Sequence, residues 1–112
     1  MLISDFYLKI NKVILGETLA TQYMWTDKSG NKVAEFKIWD WWDGINVSDI
    51  EICEKYRGKR LSYQLLDYAV SKCGARNIAV NKANPIAKHI YEKYGFEIIE
   101  QDDDMYYMTY VG

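Results

Sequence analysis

A basic turn in the middle of the chain is the part of the sequence best suited to chemistry. It places one glycine among four cationic residues: Lys55, Arg57, Gly58, Lys59 and Arg60. The preceding residues, 50–53, have the composition of a strand, and apolar residues at helical spacing begin at Leu61. A helix start carries backbone N–H groups without intrahelical partners and the positive end of the helix dipole. The pattern therefore predicts a site for a phosphate or pyrophosphate group.

The same residues also fit an ordinary strand-to-helix turn whose charges are solvated. Two familiar phosphate motifs are absent. Without the G-x-x-x-x-G-K-[S/T] spacing, nucleotide hydrolysis is not expected, and without G-x-G-x-x-G a dinucleotide fingerprint is excluded.

A second segment, residues 80–96, follows the predicted first helix by about 20 residues. Asn84 followed by Pro85 is typical of a helix N-cap and first turn, and Gly95 followed by Phe96 is typical of a helix end. Tyr91 lies between them. In this order and spacing, the two segments resemble the signatures of the GNAT superfamily of N-acetyltransferases over roughly residues 45–96. The resemblance implies an acyl-CoA N-acyltransferase fold and acetyl-CoA as cosubstrate.

The resemblance also implies roles for individual residues. Gly58 and the amides of residues 57–62 would hold the CoA pyrophosphate, the main chain at Ile52 and Cys53 would pair with pantetheine, and Asn84 would hydrogen-bond it. Tyr91 would protonate the departing thiolate, although it also fits a half-buried aromatic of the core. The expected cofactor-binding set is Ile52, Cys53, Arg57, Gly58, Lys59, Arg60, Leu61, Ser62 and Asn84.

Two positions depart from the family pattern. Arg60 stands where the family usually has Gly or Ala, and Lys55 stands at a Gln or Arg position. The Arg60 side chain would either crowd the cofactor or point outward and contact phosphate.

A general base is less clearly marked. Asp49 and Glu51 are two residues apart, so they share one face of a strand. Glu51 is the chosen base, and the alternative is a charged pair on the solvent side of the sheet. His89 is the single histidine and is expected to face water. No nucleophilic triad, metal site or zinc set is expected.

The strands and helices that position these residues are predicted from the spacing of apolar residues. This spacing changes from a strand pattern to a helical pattern halfway along the chain. Strands are predicted over residues 2–10, 17–26, 33–42 and 45–53, then a helix from 61 to 73, a strand at 78–80, a helix from 85 to 94, and a hairpin of 96–100 with 105–111. This order predicts one α/β domain over residues 1–112, with a mixed, twisted sheet and two main helices. Residues 11–16 are too few for the helical segment that the resembled family places after its first strand. We therefore expect a shortened N-terminal region and an open acceptor cleft.

Composition limits the partners. The chain has 112 residues, a formal charge of −2 and two cysteines. This balance gives no general attraction to nucleic acid or anionic membranes, and two cysteines make no disulfide framework. No signal segment or membrane-spanning run is recognised, so a cytoplasmic protein is expected.

Trp39, Trp41 and Trp42 belong either to the core or to an acceptor or dimer surface.

The leading hypothesis is direct acetyl transfer from acetyl-CoA to a primary amine of a small molecule, peptide or protein. The alternative is an acyl-CoA-binding or protein-interaction module without turnover. A nucleic-acid binder is disfavoured by the acidic balance, and a homodimer stays open.

Overall fold

The computed structural model describes residues 1–41 and 43–112. Seven strands form one sheet: β1 (Tyr7–Leu15), β2 (Thr18–Thr26), β3 (Lys32–Trp41), β4 (Gly44–Ile52), β5 (Asn77–Asn81), β6 (Phe96–Gln101) and β7 (Met105–Tyr110). Helix α1 (Leu61–Ser71) lies between β4 and β5, and α2 (Pro85–Tyr94) lies between β5 and β6. The order across the sheet is β1-β2-β3-β4-β5-β7-β6. This confirms the predicted α/β fold with a mixed sheet and two main helices.

The beginning of the chain differs from the prediction. Residues 3–5 form a 3₁₀ turn, and β1 starts at Tyr7 and continues to Leu15, beyond the predicted end at residue 10. Strand β1 is at the edge of the sheet, where polar residues are tolerated, and Lys12 reaches across to the hydroxyl of Thr21 at 2.9 Å. A tight turn at Gly16, with φ of +65°, then leads directly into β2. The connection is therefore even shorter than expected.

Both helices cover the same face of the sheet. In α1, Leu65, Leu66 and Ala69 are fully buried. The ring of Tyr68 packs against Tyr23, Trp25 and Phe36. In α2, Tyr94 packs against Phe96 and Tyr110, and its hydroxyl donates to Asp67 of α1 at 2.8 Å. Among the described residues, no helix covers the opposite face, which we call the open face.

The sheet splits between β4 and β5. These parallel strands pair only at Asn46 with Asn77 and at Val47 with Ile78. Strand β4 also contains a bulge, because Glu35 pairs with Glu51 whereas Lys37 pairs with Ser48. Asp49, within the bulge, has a φ of +53°. A bulge bends and twists its strand, which turns the end of β4 away from β5.

Candidate active site

The basic turn forms the start of α1, as the sequence predicts. Residues 54–56 make a 3₁₀ turn, Gly58 has a φ of +77°, and Arg60 is the N-cap residue in the left-handed region. Within the described residues, the backbone N–H groups of residues 58–62 have no hydrogen-bond acceptor. Five consecutive free amides at a helix start are suited to a phosphate or diphosphate. The N–H of Arg57 does not belong to this set, because it donates to the carbonyl of Glu54 at 3.2 Å.

Two adjoining cavities lie beside this turn, with volumes of about 510 and 670 Å³. They share Gly58, Arg60, Ser62 and Ile90. We call the combined space the helix-side groove. Its walls include these further residues: Ile50, Glu51, Ile52, Tyr56, Arg57, Leu61, Asn84, Ile86, Ala87, Tyr91, His89 and Lys93. Predicted residues Cys53 and Lys59 do not line it.

Arg60 does not close the groove. Its backbone adopts φ of 62° and ψ of 19°, its side chain is exposed, and it lines both cavities. A non-glycine residue in this conformation costs about 1 kcal/mol, which explains why a glycine suits the position. Gly58, Leu61 and Ser62, whose amides are free, line the groove beside it.

The backbone of Cys53, at the end of β4, has a different partner from the one expected. The N–H of Cys53 donates to Val33 on β3 at 2.9 Å, so it cannot pair with a ligand in the split. Backbone groups alternate in direction along a strand, so those of Ile52 point the opposite way, into the split. The Ile52 carbonyl accepts from Nε of Arg57 at 3.0 Å, which leaves the Ile52 N–H as the free backbone group.

Helix α2 brings Asn84 and Tyr91 to the same groove. Oδ1 of Asn84 accepts from the N–H of Ala87 at 3.1 Å, which confirms the predicted N-cap and leaves Nδ2 free to donate. Tyr91 is partly buried and packs near Phe96 with ring centroids 6.4 Å apart. Burial raises the pKa of the Tyr91 phenol above its ordinary value of 10.0, so the hydroxyl stays protonated.

Glu51 lies in the wall of the groove, and it is part of an ion cluster. Its Oε1 is 2.8 Å from Nζ of Lys32, which also contacts Glu35 at 2.8 Å. Asp49 is 3.6 Å from Nζ of Lys37. Glu51 and Asp49 therefore share one face of the strand, as predicted; this is the open face, and both carboxylates have cationic partners there.

Glu35 is the buried centre of this cluster. Burial would raise its pKa, but hydrogen bonds from Gln22, Lys32 and Lys37 outweigh burial and lower the pKa to about 2. Glu35 could not be predicted as a site residue from the sequence, because a single glutamate in an alternating strand gives no sign that its side chain is buried. Tyr56 was also missed. It lines the groove, and its hydroxyl donates to Asp27 at 3.3 Å.

The tryptophans lie at the far end of β3. Trp39 is half-buried and Trp41 is exposed, so neither belongs to the buried core. Trp42 lies outside the described residues.

In the part of the chain that the structure describes, no cluster of three or more potential ligand side chains could hold a metal ion. No helix in that part is long and apolar enough to cross a membrane.

Comparison with known proteins identifies the family. The family model described as "Acetyltransferase (GNAT) domain" matches residues 20–111. The chain therefore belongs to the GNAT acetyltransferase family, as the two motifs indicated. No curated protein sequence gave a significant match.

Solved structures share the fold at low sequence identity. The IAA acetyltransferase from Bacillus cereus is 14% identical with a TM-score of 0.71, over 93% of this chain and 99% of that one. The ribosomal-protein-S18-alanine N-acetyltransferase from Escherichia coli is 21% identical with a TM-score of 0.67, over 86% and 70%. The spermidine/spermine N-acetyltransferase from Vibrio cholerae is 18% identical with a TM-score of 0.62, over 84% and 68%.

Proposed function

We propose that this protein is an enzyme that transfers an acetyl group from acetyl-CoA directly to a primary amine. The observation that carries the proposal is the run of free amides at residues 58–62, because Gly58, Arg60, Leu61 and Ser62 of this run line the groove. A helix start with added cationic side chains would bind the CoA diphosphate. Family membership makes acetyl-CoA the expected donor.

The rest of the groove fits the remainder of this cosubstrate. One end carries the cationic side chains of Arg60 and Lys93, which suits phosphate groups, and His89 lies beside them. The end near the split carries Ile50, Ile52 and other apolar side chains, which suit the pantetheine arm. The free Ile52 N–H and Nδ2 of Asn84 would donate to its amide carbonyls.

Transfer forms an N–C bond and breaks the thioester C–S bond, so one proton must leave the amine and one must reach the sulfur. Tyr91 would donate the second proton, because its raised pKa keeps the phenol protonated until it is needed. Glu51 would accept the first proton. Lys32 holds Oε1 of this carboxylate, which leaves Oε2 available.

The structural neighbours give examples of the amines that serve as acceptors for this fold. One structural neighbour is named for an alanine of a ribosomal protein and another for spermidine and spermine, so this fold serves protein and small-molecule amines. The tight hairpin of β1 and β2 leaves the open face without a helical roof. An uncovered face would admit small-molecule, peptide or protein amines.

Calorimetric titration with acetyl-CoA tests the cosubstrate. Gly58→Glu would place a carboxylate beside the free amides and weaken acetyl-CoA binding by roughly 100-fold, because it opposes two or more charge-assisted hydrogen bonds. Gly16→Glu is the matched control. Both glycines have positive φ and open space around the added Cβ. Equal affinity of the two variants, or no binding by the native protein at millimolar acetyl-CoA, would rule out the proposed cosubstrate site.

A second candidate is a module that binds acyl-CoA, or a protein partner, without turnover. The ion pair of Glu51 with Lys32 favours it, since a paired carboxylate must be released before it can act as a base. Acetyl-CoA binding without acetylation of any amine in a screen of amines, peptides and cell lysate would support this candidate. Acetylated product would exclude it.

A homodimer is the remaining proposed assembly. β1 is an edge strand whose outer backbone groups have no partner among the described residues. Ile10, Ile14 and Leu19 are exposed near this edge. Sedimentation equilibrium would show whether a second copy covers them, and a monomer at all concentrations would exclude the homodimer.

A further inference from the structure

A second cleft lies on the open face, against the ends of β3 and β4. It has a volume of about 240 Å³. We call it the open-face cleft and define it by these lining residues: Trp39, Trp41, Asp43, Ser48, Glu100 and Tyr107. Because drug-sized ligands occupy roughly 300–1,000 Å³, this cleft suits one small group rather than a folded partner.

The aromatic walls of the cleft are held in place by hydrogen bonds and packing. Nε1 of Trp39 donates to Oγ of Ser48 at 2.6 Å. Its ring meets that of Trp41 edge to face, with centroids 6.2 Å apart and an interplanar angle of 65°. The Tyr107 hydroxyl donates to Asp102 at 2.7 Å, so its ring is fixed by a bond outside the cleft. Indole faces held this way attract an organic cation.

The charges of the cleft point to the same kind of ligand. Asp43 and Glu100 line it, and none of the described lysines or arginines does. The cations on the neighbouring part of the open face, Lys32 and Lys37, are paired with carboxylates of the ion cluster. A positive group entering the cleft would meet two carboxylates and aromatic rings.

The position of the cleft connects it to the proposed reaction. Ser48 lines the open-face cleft, and Ile50, two residues further along β4, lines the helix-side groove. The strands part just after Val47 and Ile78, so the two spaces approach each other at the split. From there the cleft runs back toward Asp43. A strand rises about 3.3 Å per residue, so the distance along β4 from Ile50 back to Asn46, four residues away, is roughly 13 Å.

We propose that the open-face cleft binds a second, cationic group of the acceptor, so that the preferred substrates are elongated amines with two positive charges. This inference rests on the proposed function. The reacting amine would lie at the split near Ile50, and the distal ammonium group would lie between the tryptophans and the two carboxylates. From three to four steps of the strand rise, we expect a separation of roughly 10–13 Å between the two nitrogens.

A series of diamines tests this length requirement. The acetylation KM is expected to fall from tetramethylenediamine through hexamethylenediamine to octamethylenediamine, whereas octylamine, which lacks the distal charge, is a poorer substrate. Trp41→Ala should raise the KM for octamethylenediamine roughly fivefold, as expected for loss of one exposed cation–π contact. Its affinity for acetyl-CoA should not change, and its KM for octylamine should rise less than its KM for octamethylenediamine. Glu100→Gln should weaken selectivity for the diamine in the same way.

Tyr7→Ala is the matched control, because Tyr7 is also an exposed aromatic, 59% accessible against 54% for Trp41. It should leave every constant unchanged. A KM that does not depend on the distal ammonium group, or that rises equally in the Trp41 and Tyr7 variants, would overturn the inference.

Direct binding separates this inference from the proposed function. Tetramethylammonium, which cannot be acetylated, should alter the tryptophan fluorescence of the native protein without acetyl-CoA, and the change should be weaker in Trp41→Ala. If acetyl-CoA binds and is turned over but tetramethylammonium gives no such signal, the cation site is wrong and the enzyme assignment stands. If tetramethylammonium binds and acetyl-CoA does not, the cation site stands and the proposed function fails.

Discussion

The helix-side groove and the open-face cleft use opposite chemistry on opposite sides of one sheet. The groove offers backbone N–H groups together with Arg57, Arg60 and Lys93. The cleft offers indole rings together with Asp43 and Glu100. A small acidic protein can therefore present a local site for an anion and a local site for a cation, because the sheet keeps the two sets of charges apart.

The two regions approach each other at only one place. The β4 bulge at Asp49 lies between Ser48, on the cleft side, and Ile50, on the groove side. Since β4 and β5 have only two paired positions, their split opens a passage at this point. The geometry suits a reaction between a phosphate-bearing donor and a cationic acceptor that approach from different faces.

The largest expected effect concerns Tyr91, the proposed proton donor. Tyr91→Phe should lower kcat by about 100-fold or more while leaving the Kd for acetyl-CoA unchanged, because positioned general acids contribute about 100- to 10,000-fold. Steady-state kinetics with calorimetry would measure both. The raised pKa of Tyr91 also predicts that any alkaline loss of native activity through its deprotonation has its midpoint above pH 10.0. Unchanged turnover in the variant would remove Tyr91 from the mechanism.

A smaller effect, on the free energy of unfolding, is expected when the ion cluster on the open face is altered. This cluster neutralises lysines of that face. Lowering the Glu35 pKa from 4.5 to about 2 corresponds to about 3 kcal/mol of stabilisation of its ionised form. Glu35→Gln should lower the free energy of unfolding by about 2 kcal/mol at neutral pH, because glutamine keeps part of the hydrogen bonding. Urea denaturation would measure this change.

The pH dependence follows from the direction of that shift. A lowered folded-state pKa stabilises the protein above the unfolded value of 4.5, and the contribution is lost as pH falls toward about 2. The difference between native protein and Glu35→Gln should therefore shrink over this range. Glu97→Gln, at an exposed position on β6, is the control. A Glu35 difference that stays constant down to pH 2 would contradict the assigned cause.

The smallest expected effect is on acetyl-CoA binding. It distinguishes an Arg60 side chain that contacts phosphate from one that crowds the cosubstrate. Arg60→Gly removes the left-handed strain of about 1 kcal/mol, so thermal unfolding should not become easier. If the guanidinium contacts phosphate, the variant should bind acetyl-CoA a few-fold more weakly than Lys59→Ala, which removes the same charge outside the groove. Tighter binding by the glycine variant would show instead that Arg60 crowds the cosubstrate.

The accuracy of the sequence predictions depended on how local the signals were. Helix α2 was predicted at its observed bounds, because Asn84, Pro85 and Gly95 act through neighbouring backbone groups. The first strand was misplaced, because Asn11 and Lys12 look like a connection although an exposed edge strand accepts them. The pairing of the Cys53 N–H with Val33 was not predicted, because the direction of an N–H in a sheet depends on its partner strand.

By itself the sequence determined the order of strands and helices, the glycine turn at the start of α1 and the capped start of α2. Those features depend on propensities and hydrogen bonds within a few residues. Only the tertiary structure decided that Glu35 is buried, that Asp49 lies in a bulge and that Trp39 donates a hydrogen bond to Ser48 on the neighbouring strand. Burial, register and charge pairing depend on residues far apart in the chain, and packing of the sheet brings them together.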